Sequence, residues 1–253
     1  MPINFPHIDS FQHFDTIDST NSEAQRFIQK HPGKNAIIIA DAQTAGRGRL
    51  RREWHSPGGK GLWWSLVLGQ PEWIPPNHEL LSLYAGIVTG MVLSEWTAAP
   101  VKQKWPNDLY IGDKKICGIL IERKWLGNLP GSAIIGIGIN LLQGPEDFAP
   151  EMRETATSLI QQPLLKEINR PDMLAAMIDI FFKNWDLLKS PETLIQRWQC
   201  DALWLDEIVE IRNENQSFSG KFRGLNKSGY ALIETVAGVK IVVDGEFSLR
   251  KSG

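Results

Sequence analysis

Hydrophobic and polar positions change period several times along this chain, and each change marks an element. Thr20 followed three residues later by Glu23 has the spacing of a capping box. Ala24, Phe27 and Ile28 follow at helical intervals and Pro32-Gly33 ends the run, so a helix is predicted over residues 21–30. Residues 36–40 are apolar throughout and read as a short buried strand, and residues 62–68 as an aromatic-rich one. Between them, residues 43–61 have no period and are rich in Gly, Arg and Pro. So long an irregular stretch inside a compact domain is expected to be functional or mobile. Leu80, Tyr84, Ile87 and Met91 recur at helical spacing and predict the longest helix of the first half over 79–96. β-rich runs follow at 101–105, 109–111, 115–123 and 133–139, separated by turn signals such as Gly112-Asp113. Two further helices are predicted over 173–188 and 193–201, with Pro171 and Pro191 near their starts.

From Leu205 the texture changes to short alternating runs at 208–212, 217–225, 230–234, 239–243 and 246–250. Turn residues at 213–215, 227–229, 237–238 and 244–245 separate them. The pattern predicts an α+β domain over residues 1–203 and a small all-β barrel over 204–253, with no internal repeat.

Composition narrows the class. With 42% hydrophobic residues in 253, the chain can bury a substantial core. Two cysteines, Cys117 and Cys200, make no disulfide framework and sit in no metal-binding spacing, which suits a reducing compartment. The N-terminus has no basic segment followed by an apolar run, so no signal peptide is expected, and the uncharged stretch 80–94 is too short to span a bilayer. A soluble, cytoplasmic protein without membrane contact is therefore expected. The formal charge of −2 argues against a protein that coats nucleic acid. Yet Arg47, Arg49, Arg51 and Arg52 crowd into one loop, leaving 23 of the 27 basic residues to face 29 acidic ones elsewhere. That concentration points to a local anion.

The loop Gln43-Thr-Ala-Gly46-Arg47-Gly48-Arg49 alternates glycine with arginine, so that backbone N–H groups can approach an anion while guanidinium groups take its oxygens. It is neither a Walker A loop nor a dinucleotide fingerprint. By chemistry alone it reads as a phosphate or carboxylate site, a solvated basic loop, or an RNA contact. In Lys104-Trp105-Pro106-Asn107-Asp108, Asn107 and Asp108 either make the turn into Leu109 or orient a substrate or metal ion. Lys115 stands at the mouth of the apolar strand containing Cys117 and Gly118, whereas Lys114 needs no role beyond the surface. Gly118, Gly136 and Gly138 lie inside predicted strands, where glycine often signals a close approach to the backbone. Together they suggest a glycine-floored slot for a slim apolar ligand, with Trp63, Trp64, Trp105 and Trp125 expected nearby. Cys117 reads as core.

Taken in order, Ser19-Thr20-Asn21, Gln43, Gly46-Arg47-Gly48-Arg49, the Lys104 to Asp108 motif, Lys115 with Gly118-Ile119-Leu120, and Gly136-Ile-Gly138-Ile-Asn140 resemble the biotin protein ligase family. Ala156-Thr157-Ser158-Leu159 and the terminal Gly245-Glu246-Phe247-Ser248-Leu249-Arg250 are similar to that family too, so the resemblance covers nearly the whole chain. It implies a biotinyl/lipoyl ligase-type catalytic domain with a mixed sheet and flanking helices, followed by an SH3-like barrel. It also implies a two-step reaction with ATP and Mg²⁺, in which biotin is activated as biotinyl-5′-AMP and passed to a lysine of a biotin carboxyl carrier protein.

The resemblance further implies the site. Ser19, Thr20, Asn21, Gln43, Gly46, Gly48, Trp54, Gly118, Gly136 and Gly138 would bind biotin. Arg47 and Arg49 would close over it, and Lys115 would stand between its carboxylate and the α-phosphate. Asn107, Asn140 and Arg250, with Arg49, Trp54 and Lys115, would face ATP, and Asp108 would hold Mg²⁺. One position departs from the family: Arg51 stands where a further glycine is common, which should restrict the loop's backbone. The 18 residues before Ser19 are too few for the winged helix of the family's repressors, so a form without a DNA-binding domain is expected, as a monomer or homodimer. The neighbouring alternatives are lipoate or octanoate transfer on the same fold and, in a different class, an RNA-binding module.

Overall fold

The structure is a computed structural model and describes residues 5–75, 77–126, 129–212, 217–243 and 248–251. Strand β1 (Ser10–Ile17) is one that the hydrophobic pattern does not announce, because no position in it is fully buried. It lies at the edge of a sheet, parallel to β2 (Ala36–Gln43). Parallel neighbours require a crossover, and α1 (Thr20–Lys30) makes it. The predicted capping box is not used. Ser19 is the N-cap, no side chain caps it, Thr20 turns its hydroxyl to Gln43 at 3.2 Å, and Glu23 pairs with Arg26 at 2.6 Å. Both residues are drawn away by stronger partners outside the helix terminus or along its face.

Strands β3 (Gly61–Leu68), β4 (Val101–Lys104), β5 (Asp108–Ile111), β6 (Lys114–Leu126) and β7 (Leu129–Asn140) complete a seven-stranded sheet in the order β1-β2-β3-β7-β6-β5-β4. All pairs but the first are antiparallel. Every residue of β3 is buried, which explains why its run is apolar but for Ser65. One face of the sheet takes α1, where Ala24, Phe27 and Ile28 pack on Ala36, Ile38, Val67 and Ile134. The other face takes α2 (Leu81–Leu93) and α3 (Arg170–Lys183) over residues such as Ile37, Trp64 and Leu66, and α4 (Pro191–Cys200) packs against α2.

Helix α2 is shorter than predicted because it is buried on nearly all sides, so no polar face marks its ends in the sequence. Helix α3 starts earlier than predicted. Asn169 caps it, accepting from the Asp172 amide at 3.2 Å, with Pro171 in the first turn.

Strands β8 (Ile208–Arg212), β9 (Ser217–Leu225), β10 (Ala231–Thr235), β11 (Gly238–Val242) and β12 (Ser248–Lys251) form a second, antiparallel sheet in the order β11-β10-β9-β8-β12. The predicted turns at 213–215 and 244–245, and residues 246–247 of the last predicted strand, lie outside the described residues. The two sheets meet at β4. The Gln103 amide donates to Asp201 O and the Leu203 amide to Gln103 O, both at 2.7 Å, and the Trp105 indole donates to Gly229 O at 2.9 Å. Apolar packing runs across this seam through Trp198, Trp204 and Phe222.

Asn35 ties the entry to β2. Fully buried, it donates to His7 O at 2.9 Å and accepts from the amides of Gly69 and Gln70 at 2.8 and 3.1 Å. Asn35→Ala strips partners from three backbone groups at once. It is expected to lower unfolding free energy by about 2–3 kcal/mol, read as a shift in the urea midpoint.

Candidate active site

The central strands dictate the shape of the site. Gly118 on β6 pairs with Gly138 on β7, and Gly136 pairs with Leu120 on one side and Ser65 on the other. Side chains alternate across a strand, so Gly118, Gly136 and Gly138 all bare the same face while Cys117 points into the core. Burial pushes the Cys117 thiol well above its usual range, in keeping with an inert core residue.

The bared backbone is closely covered. A Cβ on Gly138 would meet the Trp54 indole nitrogen at 2.4 Å, one on Gly118 the same ring at 2.8 Å, and one on Gly136 the Asn21 amide oxygen at 2.1 Å. The three glycines line one cleft, and the Trp54 ring and the Asn21 amide lie directly on them, with Trp54 in edge contact with Trp63. Trp64 and Trp105 line the cleft as expected, Trp63 stands behind Trp54, and the Trp125 side chain lies outside the described residues.

The cleft above this floor has a volume of about 470 Å³. Its polar end is built by the start of α1 and the end of β2, with Ser19, Thr20, Asn21 and Gln43 in its wall. The Gln43 side-chain oxygen accepts from the Thr20 amide at 2.8 Å, and its nitrogen donates to Ser56 Oγ at 2.7 Å. Ser65, the one polar residue of β3, lies 2.8 Å from the Thr20 hydroxyl and 2.6 Å from Asn21 Oδ1. Asp18 steadies this end. Its carboxylate takes the Arg26 guanidinium at 2.7 and 3.0 Å and the Ser19 amide at 2.7 Å.

The arginine loop folds back on itself as a narrow hairpin. The Trp54 amide donates to Gly46 O at 2.9 Å and the Gly48 amide to Arg52 O at 2.7 Å. Leu50 and Arg51 at its tip have φ of +54° and +58°. The left-handed backbone that a glycine would allow at residue 51 is thus adopted by the arginine itself, at a cost of about 1–2 kcal/mol. Arg47, Gly48, Arg49 and Trp54 line the cleft, but Gly46 does not. It is packed against Trp54 O, which a Cβ there would meet at 2.3 Å.

The opposite end carries the charge. Lys115 pairs with Asp108 at 2.6 Å, with its ammonium 5.0 Å from the centre of the Trp54 ring. Arg49 donates to Asn107 Oδ1 at 3.0 Å, and Asn107 donates to Ile119 O at 2.6 Å. Arg250 reaches the same cleft from β12. Asn140 does not line it. It is buried, donating to Thr157 O at 2.9 Å, beside a small adjoining cavity shared with Trp54 and Lys115.

Lys104 has no role assigned from the sequence alone. Its ammonium donates to the Tyr110 hydroxyl at 3.0 Å and lies over the rings of Tyr110 and Trp204, and burial pushes it down to about 8. Glu122 and Ser65 likewise escaped sequence reading. A lone acid late in β6 and a lone serine in β3 were the available signals.

Residues 13–140 match the biotin/lipoate A/B protein ligase family, and residues 205–250 match the biotin protein ligase C-terminal domain. The chain belongs to the biotin protein ligase family. A bifunctional ligase/repressor BirA of Bacillus subtilis is 34% identical over 93% of this chain and 72% of its own length. A biotin–[acetyl-CoA-carboxylase] ligase of Paracoccus denitrificans is 29% identical over 90% of this chain and 96% of its own. Among solved structures, the biotin protein ligase of Aquifex aeolicus in complex with biotin and ATP superposes with a TM-score of 0.81 at 32% identity, covering 97% of this chain and all of that one. The α+β ligase fold with an SH3-like C-terminal part is the fold of this family.

The acid response of the site follows from Asp18. Its hydrogen bonds to Arg26 hold its carboxyl down to about 2 from an ordinary 3.8, against the opposing pull of burial. A carboxyl depressed in the folded state contributes stability that is present above its unfolded pKa and is lost as pH falls through the folded one. Stability is therefore expected to drop between pH 4 and pH 2, and Asp18→Asn should flatten that part of a pH-denaturation curve.

Proposed function

We infer that this protein is an ATP-dependent biotin protein ligase, which activates biotin as biotinyl-5′-AMP and transfers it to a lysine of a biotin carboxyl carrier protein. The observation that carries this reading is the glycine-floored slot, with a hydrogen-bonding end at Thr20, Asn21 and Gln43 and a cationic end at Lys115 and the arginine loop. A slim apolar body with a polar head at one end and a carboxylate at the other suits biotin. The carboxylate would meet the nucleotide where the cations gather.

A carboxylate is a poor acyl donor until its oxygen becomes a good leaving group. In the first step a biotin carboxylate oxygen attacks the α-phosphorus of ATP, the bond from that phosphorus to the bridging oxygen breaks, and pyrophosphate leaves. Lys115, at the junction of slot and cleft, lowers the repulsion between the two anions as charge builds up, and its pair with Asp108 fixes its position. Arg49, held by Asn107, and Arg250, from the second sheet, supply positive charge to the phosphates. In the second step the acceptor amine attacks the biotinyl carbonyl carbon, AMP departs with its bonding electrons, and the amine gives up a proton.

Asp108 and Asp113 are carboxylates in the cleft wall, and one or two carboxylates plus substrate phosphates are what Mg²⁺ takes in such sites. Asp108 would hold it, and the ion would offset phosphate charge. Ser19, Trp54, Gly118, Gly136 and Gly138 shape the biotin slot in this reading, Gly46 acts by tightening the loop, and Asn140 supports the nucleotide end from behind. We place the division between the catalytic and C-terminal units at residue 203, and the protein in the cytoplasm. No helix among the described residues is long and apolar enough to cross a membrane.

ATP–pyrophosphate exchange with Mg²⁺ tests this reading, comparing biotin, lipoate and octanoate. Exchange is expected with biotin alone, and Lys115→Ala should reduce it on the order of 10²–10³-fold. Exchange confined to lipoate or octanoate would move the chain to the sister activities of its fold.

A further inference from the structure

Glu122 lies on β6 opposite Ile134, outside the wall of the cleft, yet three groups converge on its carboxylate. One oxygen accepts from Arg47 Nη2 and from Asn21 Nδ2, each at 2.7 Å, and the other from Gln25 Nε2 at 2.9 Å. Arg47 belongs to the arginine loop and Asn21 to the polar end of the slot, 26 positions apart in the chain.

From Asn21 the hydrogen bonds continue through Ser65 to Thr20, whose backbone amide donates to Gln43, and on to Ser56, whose hydroxyl donates to Trp54 O at 3.1 Å. The chain of bonds thus leaves the loop at Arg47 and rejoins it at Trp54, on the returning arm. We propose that Glu122 is a positioning residue that latches the arginine loop shut, gripping Arg47 while it orients Asn21. The latch ties the loop to the polar end of the slot through one carboxylate.

The alternative, that Glu122 merely satisfies a surface arginine, does not account for the convergence. An exposed ion pair is worth little by itself, but one whose acid is also anchored from a helix does not have to order both partners. Two donors from α1, Asn21 and Gln25, hold the carboxylate at the angle that Arg47 meets.

The consequence for the reaction rests on the functional reading above: a loop released from Glu122 would let the reactive adenylate escape before transfer. The latch itself does not depend on that reading, so two measurements separate them. In the first, ligand-free protein is digested with trypsin and cleavage after Arg49, Arg51 or Arg52 is followed by mass. Glu122→Gln is expected to speed this cleavage about fivefold at an unchanged melting temperature. Arg47→Gln should do the same, and the double variant should be no faster than either, as for two ends of one contact.

Cleavage in Glu122→Gln within twofold of wild type, additive effects in the double variant, or a rise that tracks a fall in melting temperature would each overturn the latch. In the second measurement, enzyme loaded with biotin, ATP and Mg²⁺ is chased with excess unlabelled biotin. Release of biotinyl-adenylate about fivefold faster from Glu122→Gln supports the link between latch and retention. Unchanged release beside faster tryptic cleavage would overturn that link. Failure of wild type to form any adenylate would overturn the functional reading and leave the tryptic result to stand by itself.

Discussion

Strands β6 and β7 pair Gly118 with Gly138, and this one register match removes two side chains from the same patch of sheet. Gly136, two residues along β7, extends the patch beneath Asn21. Backbone in a sheet interior is already hydrogen-bonded along the ladder, so the floor presents little unsatisfied polarity while lying several ångströms lower than its surroundings. The rest of the site depends on that depth. The Trp54 indole lies in it, the hairpin that carries Trp54 is drawn down over it, and three of the loop's arginines, Arg47, Arg49 and Arg52, reach the cleft wall. A side chain at either glycine would displace Trp54 and with it the returning arm of the loop.

Charge is graded along the cleft. At the slot end the groups are neutral hydrogen-bonding side chains, linked to one another through Gln43 and Ser65. At the other end Lys115 is balanced by Asp108, and Lys104 is sunk between two aromatic rings, where burial lowers its affinity for a proton to about 8. An anionic ligand entering that end meets cations that have already lost part of their hydration. Hydrogen bonds and ion pairs formed there are stronger than on an open surface.

The second sheet is joined to this charged end rather than to the slot. Gln103 exchanges backbone hydrogen bonds with residues 201 and 203, Trp105 reaches Gly229, and Trp204 covers Lys104. Arg250 arrives over the same junction. The charged end of the cleft and the C-terminal unit thus share β4 and the Trp105 indole as their common junction.

Much of this was legible in the chain itself, because the features are local. Glycine alternating with arginine, lysine before an apolar strand and glycine inside one all declare their chemistry within a few residues, and their order was enough to name the family. The α+β body and the turn-rich β tail were likewise set by period and composition. What tertiary structure alone decided are the contacts between distant segments. The polar strand β1 exists because β2 and α1 supply a neighbour. Thr20 abandons a capping box for Gln43, 23 residues on, and Arg47 finds its partner in Glu122, 75 residues on. Asn140 is carried behind the cleft by its bond to Thr157. A hydrogen bond is won by whichever partner folding brings within about 3 Å, and that distance is a property of the packed sheet, not of sequence spacing.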